Sequence, residues 1–360
     1  MTVFTANDAA LPIDLAELRA RVTRRLVAFL DEKERQADRQ GLLPEIPIAI
    51  KDHVTAGGKR IRPLLCLVGW QAAGGRGTPD MVLQTAAALE MYQAFALIHD
   101  DIIDNSQTRR SQPTVHRALA QRYAHADDAR HLGLSAALLV GNMALTWSDE
   151  LFTTADVPDD RRTVVSTLLD SMRQEMHYGQ YLDLLSTLGP LDDHRTPMTV
   201  VRYKTAKYTI ERPLHIGAAL AGAGTDFLEA LSRFALPLGD AFQFRDDLLG
   251  LYGDPATTGK PVLDDLREGK HTLVLALATA AASPAQQAFL AEHVGDPCLT
   301  GETGRRILGI ITATGAAATV ERMITDRYNE AVAALDSAAI PSAAVTALRR
   351  MATDAVRRVS

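Results

Sequence analysis

The sequence predicts an all-α protein, and three observations carry that prediction. Apolar residues recur at intervals of three and four positions along most of the chain, which is the period of a helix with one buried face. Alternating runs rich in Val, Ile and Thr with hairpin turns between them are missing, so we expect almost no sheet. No long linker rich in Pro, Ser or Gly divides the chain. We therefore expect a loose tail at residues 1–14 and a single all-helical domain at residues 15–360.

The helical periodicity defines the individual elements. It predicts helices at Arg19–Gln36, Pro63–Ala73, Pro79–Asp104, Val115–Arg122, Ser135–Thr153, Arg161–Leu188, Met198–Gly222, Phe227–Leu251, Lys270–Ala282, Pro284–Val294, Arg305–Leu335 and Ser342–Val359. The segments 189–197 and 253–269 are expected to be loops. A loop as long as the second one, inside a compact helical domain, is usually functional or disordered.

The composition excludes several classes of protein. The chain has 360 residues, of which 47% are hydrophobic, and this is enough for a sizeable core. Its formal net charge of −6 gives no indication of a nucleic-acid partner, so a binding site for an anion must be local. Cys66 and Cys298 lie far apart, which favours reduced thiols over a disulfide framework.

The sequence is that expected of a cytoplasmic protein. Its first residues lack a basic segment followed by an apolar run, so we expect no signal peptide. The apolar runs at 132–145 and 273–282 are too short or too interrupted to span a bilayer, and we expect no transmembrane segment. A peripheral membrane association remains compatible with these features.

A first cluster of carboxylates lies at the end of an apolar helix. Asp100 and Asp104 are one helical turn apart and share a face, and Asp101 lies beside them. Three neighbouring carboxylates repel each other, and a hard cation such as Mg²⁺ would compensate this repulsion with phosphate oxygens and water completing its shell. Taken alone, the cluster is better interpreted as a solvated acidic helix end.

A second cluster makes the functional interpretation the stronger one. Asp246 and Asp247 follow another apolar, aromatic helix about 146 residues later. Two such clusters on separate helices can face each other across a cavity and hold metal ions that bridge a diphosphate.

Basic residues supply the remaining partners of an anion. Lys59 and Arg62 lie at a glycine-rich entry to a helix, where free backbone N–H groups also favour an anion. Arg110 follows the first aspartate cluster. A single lysine is most often a solvated surface residue. Grouped around paired aspartates, however, Lys59, Arg62 and Arg110 predict a binding site for an anionic substrate.

Five ordered segments resemble the signatures of the polyprenyl synthetase family, which contains farnesyl and geranylgeranyl diphosphate synthases. They are GGKRIRP, LIHDDIIDNSQTRRSQPTVH, GQYLDL, YKTA and FQFRDDLLGLYGDPATTGKPVLDDLREGK. The similarity runs from about Val22 to the C-terminal helices. It implies a bundle of antiparallel helices around a deep central cavity, usually in a homodimer. It also implies an enzyme that adds isopentenyl diphosphate to an allylic diphosphate with the help of Mg²⁺, with three ions in each active site.

The resemblance assigns roles residue by residue. It implies that Mg²⁺ is bound by Asp100, Asp104 and Asp246, with support from Asp101 and Asp247. It implies that the allylic diphosphate is bound by Arg109, Lys204, Lys260 and Lys270. The diphosphate of isopentenyl diphosphate is assigned to Gly58, Lys59, Arg62, Gln93 and Arg110. Thr205, Gln180 and Gln243 are expected near the reacting carbons, and Asp183 is a weaker candidate behind them.

The length of the product is expected to depend on the helix that carries the first cluster. Ala96 and Phe95 precede Asp100 by four and five residues, and they therefore lie roughly 5–7 Å deeper. Tyr92 lies a further turn down. One aromatic residue beside a small alanine resembles the synthases that make geranylgeranyl (C20) diphosphate, with a farnesyl (C15) product as the alternative.

Three positions depart from the family pattern, and two other classes of protein stay open. Gly250 stands where many members have the last aspartate of the second cluster, so binding of metal there would depend on Asp246 and Asp247, with Asp254 as a further candidate. Asn142 replaces a frequent aspartate and Ser111 a frequent glycine. The alternatives are a terpene cyclase, which can dispense with the second anion site, and a non-catalytic partner subunit, which usually loses aspartates of the first cluster.

Overall fold

The computed structural model describes residues 12–253 and 263–357, and it confirms the all-α prediction. The α-helices are α1 (Leu15–Arg39), α2 (Glu45–Thr55), α3 (Ile61–Ala72), α4 (Asp80–Ile103), α5 (Val115–Arg122), α6 (Ala129–Thr153), α7 (Asp159–Ser186), α8 (Arg195–Val200), α9 (Arg212–Leu220), α10 (Thr225–Tyr252), α11 (Asp264–Arg267), α12 (Leu273–Ala281), α13 (Pro284–His293), α14 (Gly301–Ala313), α15 (Ala316–Ser337) and α16 (Ser342–Val356). A π-helix at Val201–Glu211 joins α8 to α9, and two short strands are β1 (Thr108–Arg109) and β2 (Gln112–Pro113).

Two differences from the predicted helices have simple physical reasons. Helix α1 begins at Leu15 because Asp14 caps it, with Oδ1 accepting hydrogen bonds from the amides of Ala16 and Glu17 at 2.9 and 3.1 Å. Helix α2 was not predicted. Its prolines interrupt the periodicity, yet Pro47 lies in the first turn, where the missing N–H group costs nothing.

The strands form a hairpin that carries the arginine pair. Thr108 pairs with Pro113, and Arg109 pairs with Gln112. The two turn residues, Arg110 and Ser111, have positive φ angles of 53° and 61°. Glycine adopts this conformation at least cost, so the serine at position 111 makes the turn less favourable without changing its course.

The core lies around α4. A large cluster of buried apolar side chains joins α1, α3, α4, α6, α7, α9 and the first half of α10. A second cluster joins the other half of α10 to α12, α14 and α15. Helices α4, α7, α10 and the π-helix surround the space between these clusters, so the aspartate clusters of α4 and α10 meet there.

Helix α4 is the one helix among the described residues that is by itself long and apolar enough to cross a membrane. Of its most apolar window, 72% is buried inside the protein. Helices α14 and α15 meet the same criterion only as a pair, and they are bent by 62° relative to each other. Burial of this extent is what a core helix of a packed bundle requires.

The π-helix gives one wall of the central space its shape. Hydrogen bonds in a π-helix run from i to i+5, which adds about one residue to each turn. Residues four or five positions apart therefore lie on the same face of this segment. The face turned toward the central space contains Val201, Lys204, Thr205, Tyr208 and Thr209.

Candidate active site

A cavity of about 1480 Å³ opens between these helices. Most of the residues assigned from the sequence line it, namely Gly58, Lys59, Arg62, Gln93, Phe95, Ala96, Asp100, Arg109, Arg110, Gln180, Lys204, Thr205, Gln243, Asp246, Asp247 and Lys270. Asp101, Asp104 and Tyr92 lie behind or beside this wall. Lys260 and Asp254 fall outside the described residues.

The first aspartate cluster is bound by cations from two other elements. Asp100 lies 3.3 Å from Nζ of Lys204, on the π-helix, and 3.4 Å from Nη2 of Arg109, on the hairpin. Asp101 is 1% exposed and pairs with the same arginine at 2.6 Å. Asp101 therefore holds Arg109 in place, and Asp100 presents its carboxylate to the cavity.

Lys270 binds the last carboxylate of the first cluster. Its Nζ lies 2.7 Å from Asp104 and 2.9 Å from Glu268. Burial alone would lower the pKa of Lys270, but Asp104 and Asp265 outweigh it and raise that pKa well above its usual range. The ammonium group is therefore charged, and it links the end of α4 to the segment that follows α10.

The second cluster is part of a chain of hydrogen bonds. Asp247 accepts a hydrogen bond from Nε2 of Gln243 at 2.7 Å, and Oε1 of Gln243 accepts one from Thr205 at 2.6 Å. Burial raises the pKa of Asp247 to about 8, and the nearby carboxylates of Asp265 and Asp246 add to this shift. Both aspartates line the cavity, but Asp246 is only half-buried whereas Asp247 is buried.

The structure supplies a carboxylate near Gly250, where the family pattern would have an aspartate. Asp265, at the start of α11, directs its carboxylate into the space beside the α-carbon of Gly250. Asp265 lines the cavity together with Asp246 and Asp247. Asp265 was not predicted from the sequence, although the pair of aspartates in the segment GKPVLDDLREGK was a visible signal.

These carboxylates fit Mg²⁺ held jointly with a diphosphate. Within the described residues, no group of three His, Cys, Asp or Glu side chains is close enough to hold an ion by itself. Magnesium prefers oxygen ligands and usually takes one or two carboxylates, with phosphate oxygens and water in the other positions. The donor set of Asp100 on α4 and Asp246 on α10 meets that preference.

The glycine-rich loop before α3 is fixed by a buried ion pair. Arg60 adopts a left-handed backbone conformation with φ of 52°. Its Nη1 lies 2.6 Å from Oε1 of Glu90 on α4, and the two side chains are only 4% and 7% exposed. Arg110 donates a hydrogen bond to the carbonyl oxygen of Gly57 in the same loop. Lys59, which adjoins Arg60, is thereby held at the cavity wall.

Tyr208 orients two residues of the predicted anion site, and the sequence analysis missed it. The guanidinium carbon of Arg62 lies 4.1 Å from the centre of the Tyr208 ring. The Tyr208 hydroxyl donates a hydrogen bond to Oε1 of Gln93 at 2.6 Å. The available signal was its position four residues after Lys204, on the same face of a helix.

The inner end of the cavity contains the residues expected to limit product length. Phe95 and Ala96 line it, and Tyr92 is fully buried with its ring centre 5.3 Å from that of Phe95. His99 and His177 also line this end. Asn142 of α6, one of the departures from the family pattern, also lines the cavity.

Comparison with known proteins agrees with this geometry. The sequence model of the polyprenyl synthetase family matches residues 44–307. The crystal structure of a geranylgeranyl pyrophosphate synthase from Corynebacterium glutamicum, complexed with isoprenyl diphosphate and magnesium, has a TM-score of 0.92 to this chain. The two are 38% identical, and the match covers 96% of this chain and 100% of that one.

Two further relatives differ in the product that their names give. A geranylfarnesyl diphosphate synthase from Aeropyrum pernix is 33% identical over 264 residues, which are 73% of this chain and 78% of the relative. A farnesyl diphosphate synthase from Geobacillus stearothermophilus is 35% identical over 239 residues, which are 63% of this chain and 73% of the relative.

The helical bundle and its carboxylate-lined cavity define a prenyltransferase of the isoprenoid-synthase type. The chain belongs to the polyprenyl synthetase family and is an isoprenyl diphosphate synthase.

Proposed function

We propose that this enzyme condenses isopentenyl diphosphate with dimethylallyl, geranyl and farnesyl diphosphates and releases geranylgeranyl diphosphate (C20). The observation that carries the proposal is the cavity that brings together Asp100 of α4, Asp246 of α10 and two groups of cations. The C20 length is supported by Phe95 beside the small Ala96 at the inner end of that cavity.

The aspartate side of the cavity suits the allylic diphosphate. Lys204, Arg109 and Lys270 are already gathered around the first cluster. When the allylic C–O bond breaks, its electrons stay with the diphosphate, and cations fixed in advance stabilise the charge that develops. Mg²⁺ bound by Asp100, Asp104 and Asp246 would supply the same kind of stabilisation as a Lewis acid.

The glycine-rich loop suits isopentenyl diphosphate. Lys59, Arg62 and Arg110 provide three charges, and Gln93 provides an amide. With its diphosphate held there, the double bond attacks the allylic carbon and forms the new C–C bond. The proton that is lost goes to the departing diphosphate.

The rest of the cavity protects the cation formed in the reaction. Thr205, Gln180 and Gln243 line the same cavity as the two groups of cations. Apolar side chains deeper in the cavity exclude water, which would otherwise quench the cation.

We propose a cytoplasmic homodimer of single-domain subunits, with three Mg²⁺ ions in each active site. Exposed apolar side chains on α6 and α7 would suit an interface between two copies, and they include Leu138, Leu139, Tyr178 and Tyr181.

Product analysis tests the proposal. The purified enzyme is incubated with Mg²⁺, isopentenyl diphosphate and each allylic starter, and the alcohols are resolved after phosphatase treatment. A C20 product from all three starters is expected. A stop at C15 would retain the class of enzyme and contradict the length. Cyclic hydrocarbons, or no elongation, would favour the cyclase or the partner-subunit alternative.

Substitution tests the assignment of the first cluster. Asp100→Ala and Asp104→Ala should each abolish most turnover, because each removes a carboxylate assigned to Mg²⁺. Asp226→Ala, in the exposed first turn of α10, serves as the control and should retain activity. Turnover that survives both changes in the first cluster would contradict the assignment.

A further inference from the structure

Two arginines at the start of α3 have different surroundings. The charge of Arg60 is neutralised by the buried carboxylate of Glu90, which lies 2.6 Å from its Nη1. Arg62 lines the cavity and forms no ion pair within the part of the chain that the structure describes. The charge of Arg60 therefore stabilises the fold, whereas that of Arg62 is available to an anion in the cavity.

Two consecutive residues of the π-helix hold the guanidinium group of Arg62. Its flat face lies over the ring of Tyr208, with the guanidinium carbon 4.1 Å from the ring centre. At its edge, Nη2 donates a hydrogen bond of 2.6 Å to Oγ1 of Thr209. The contact with the ring fixes the plane of the guanidinium group, and the hydrogen bond fixes its rotation within that plane. Thr209 therefore sets the direction in which the other N–H groups of Arg62 point.

The hydrogen bond between Arg62 and Thr209 is shielded from water. Thr209 is 2% exposed, so water cannot easily replace its hydroxyl group as the acceptor. Nε of Arg62 is also buried, and it has no acceptor among the described residues. A buried N–H group without an acceptor is costly, and phosphate oxygens fit the planar fork of an arginine. The geometry therefore leaves donors of Arg62 for a phosphate group.

We propose that Thr209 is a positioning residue for isopentenyl diphosphate: its hydroxyl group orients Arg62 to bind the diphosphate of this substrate. This inference rests on the proposed function and adds a residue that the resemblance to the family does not assign. The cations beside the first aspartate cluster, Lys204 and Arg109, are held by other partners. Loss of the Thr209 hydroxyl group should therefore weaken the binding of isopentenyl diphosphate and leave that of the allylic substrate unchanged.

The test removes the hydroxyl group of residue 209 from the full-length enzyme. Thr209→Val nearly preserves the shape, and it should raise the KM for isopentenyl diphosphate about tenfold, as expected for one hydrogen bond to a charged group. The KM for farnesyl diphosphate and kcat should change little. Thr209→Ser retains the hydroxyl group and should restore the KM. Thr199→Val is the matched control, because Thr199 is exposed on α8 and does not line the cavity; its kinetics should equal those of the wild type.

A double-mutant cycle separates positioning from packing. In an Arg62→Met background, Thr209→Val should raise the KM no further, because the hydroxyl group has no guanidinium group left to orient. An equal increase in both backgrounds would overturn the inference, as would equal increases for both substrates or no rescue by Thr209→Ser. Should Thr209→Val fail to fold, Thr209→Ala removes the same hydroxyl group and decides in the same way.

Calorimetric titration of isopentenyl diphosphate alone needs no turnover, so it separates this inference from the proposed function. A wild type that elongates no starter, with Thr209→Val binding isopentenyl diphosphate about tenfold more weakly, would overturn the proposed function and support the role of Thr209. A wild type that elongates, with Thr209→Val binding isopentenyl diphosphate equally well, would do the reverse. A wild type that does not bind isopentenyl diphosphate would overturn both.

Discussion

The carboxylate of Asp265 occupies the space that a side chain at Gly250 would need. A Cβ atom on Gly250 would contact Oδ2 of Asp265 and lie 3.1 Å from its Cγ. The glycine that departs from the family pattern therefore makes room for a carboxylate from α11. The second cluster thus has Asp246, Asp247 and Asp265 at one end of the cavity.

Asp265→Asn should lower kcat on the order of 100-fold, because it removes one charge from the group that would hold the metal-bound diphosphate. The concentration of Mg²⁺ needed for half-maximal activity should rise at the same time. Steady-state kinetics over a series of Mg²⁺ concentrations measures both quantities.

The neighbouring residue provides the control for that change. Asp264 also borders the cavity, but its carboxylate pairs with Arg267 at 2.9 Å, so Asp264→Asn should lower kcat much less than Asp265→Asn. Gly250→Asp should also reduce activity, since its carboxylate would collide with that of Asp265. If Asp265→Asn behaved like Asp264→Asn, Asp265 would have no part in the site.

Tyr208→Phe should raise the KM for isopentenyl diphosphate roughly tenfold, because Gln93 would lose the hydroxyl that orients it. The KM for farnesyl diphosphate should stay the same. Tyr208→Leu should have a larger effect, since Arg62 would also lose the ring beneath it. Kinetics in which each substrate is varied separately gives this comparison.

Tyr203→Phe is the matched control, because Tyr203 lies on the same π-helix without lining the cavity. Equal changes in both KM values for Tyr208→Phe would show that Tyr208 supports the fold rather than one substrate.

Glu90→Ala should reduce the free energy of unfolding by about 3–5 kcal/mol, because it leaves the buried charge of Arg60 without its carboxylate. Urea unfolding measures the change. Glu17 pairs with Arg24 at the surface, and Glu17→Ala should cost about 1 kcal/mol or less. Equal costs for the two substitutions would mean that Arg60 is satisfied by the backbone carbonyls of the loop alone.

The ionisation of the buried Asp240 carboxyl makes the free energy of unfolding depend on pH. Burial raises its pKa from 3.8 to about 6, and the pairing with Arg202 at 2.8 Å offsets this shift only in part. Since the folded state favours the protonated form, the wild type loses stability relative to Asp240→Asn as the pH rises from about 4 to 6. The difference should grow by at most about 3 kcal/mol.

Urea unfolding of both proteins at several pH values checks this prediction. Asp226→Asn, at an exposed position, should show no such trend against the wild type. A difference between Asp240→Asn and the wild type that does not vary with pH would mean that Arg202 compensates the burial completely.

Most of the fold and half of the site follow from local patterns in the sequence. The period of the apolar residues predicts the long helices, and the motifs indicate the residues on both sides of the cavity. Helix α2 could not be predicted in this way because Pro44 and Pro47 interrupt the apolar period. The π-helix could not be predicted either. The composition of residues 201–211 is typical of any helix, and only the hydrogen bonds distinguish a π-helix from an α-helix.

The residues that sequence reasoning missed act across elements. Glu90 pairs with a loop 30 positions away in sequence. Asp265 comes to Gly250 through the return of the chain after α10, and Thr209 approaches Arg62 from a different helix. Contacts of this kind depend on how the helices pack against each other, so the sequence pattern of a single helix cannot predict them.

The π-helix favours the activity of the enzyme at the expense of its stability. Val200 and Thr209 both line the cavity, yet nine residues are about two and a half turns of an α-helix and would point them in opposite directions. Deleting one residue from 201–211 would let the segment return to the α-helical repeat and its better hydrogen bonds. The shortened enzyme should be more stable and less active, because its cavity-lining side chains would no longer share one face.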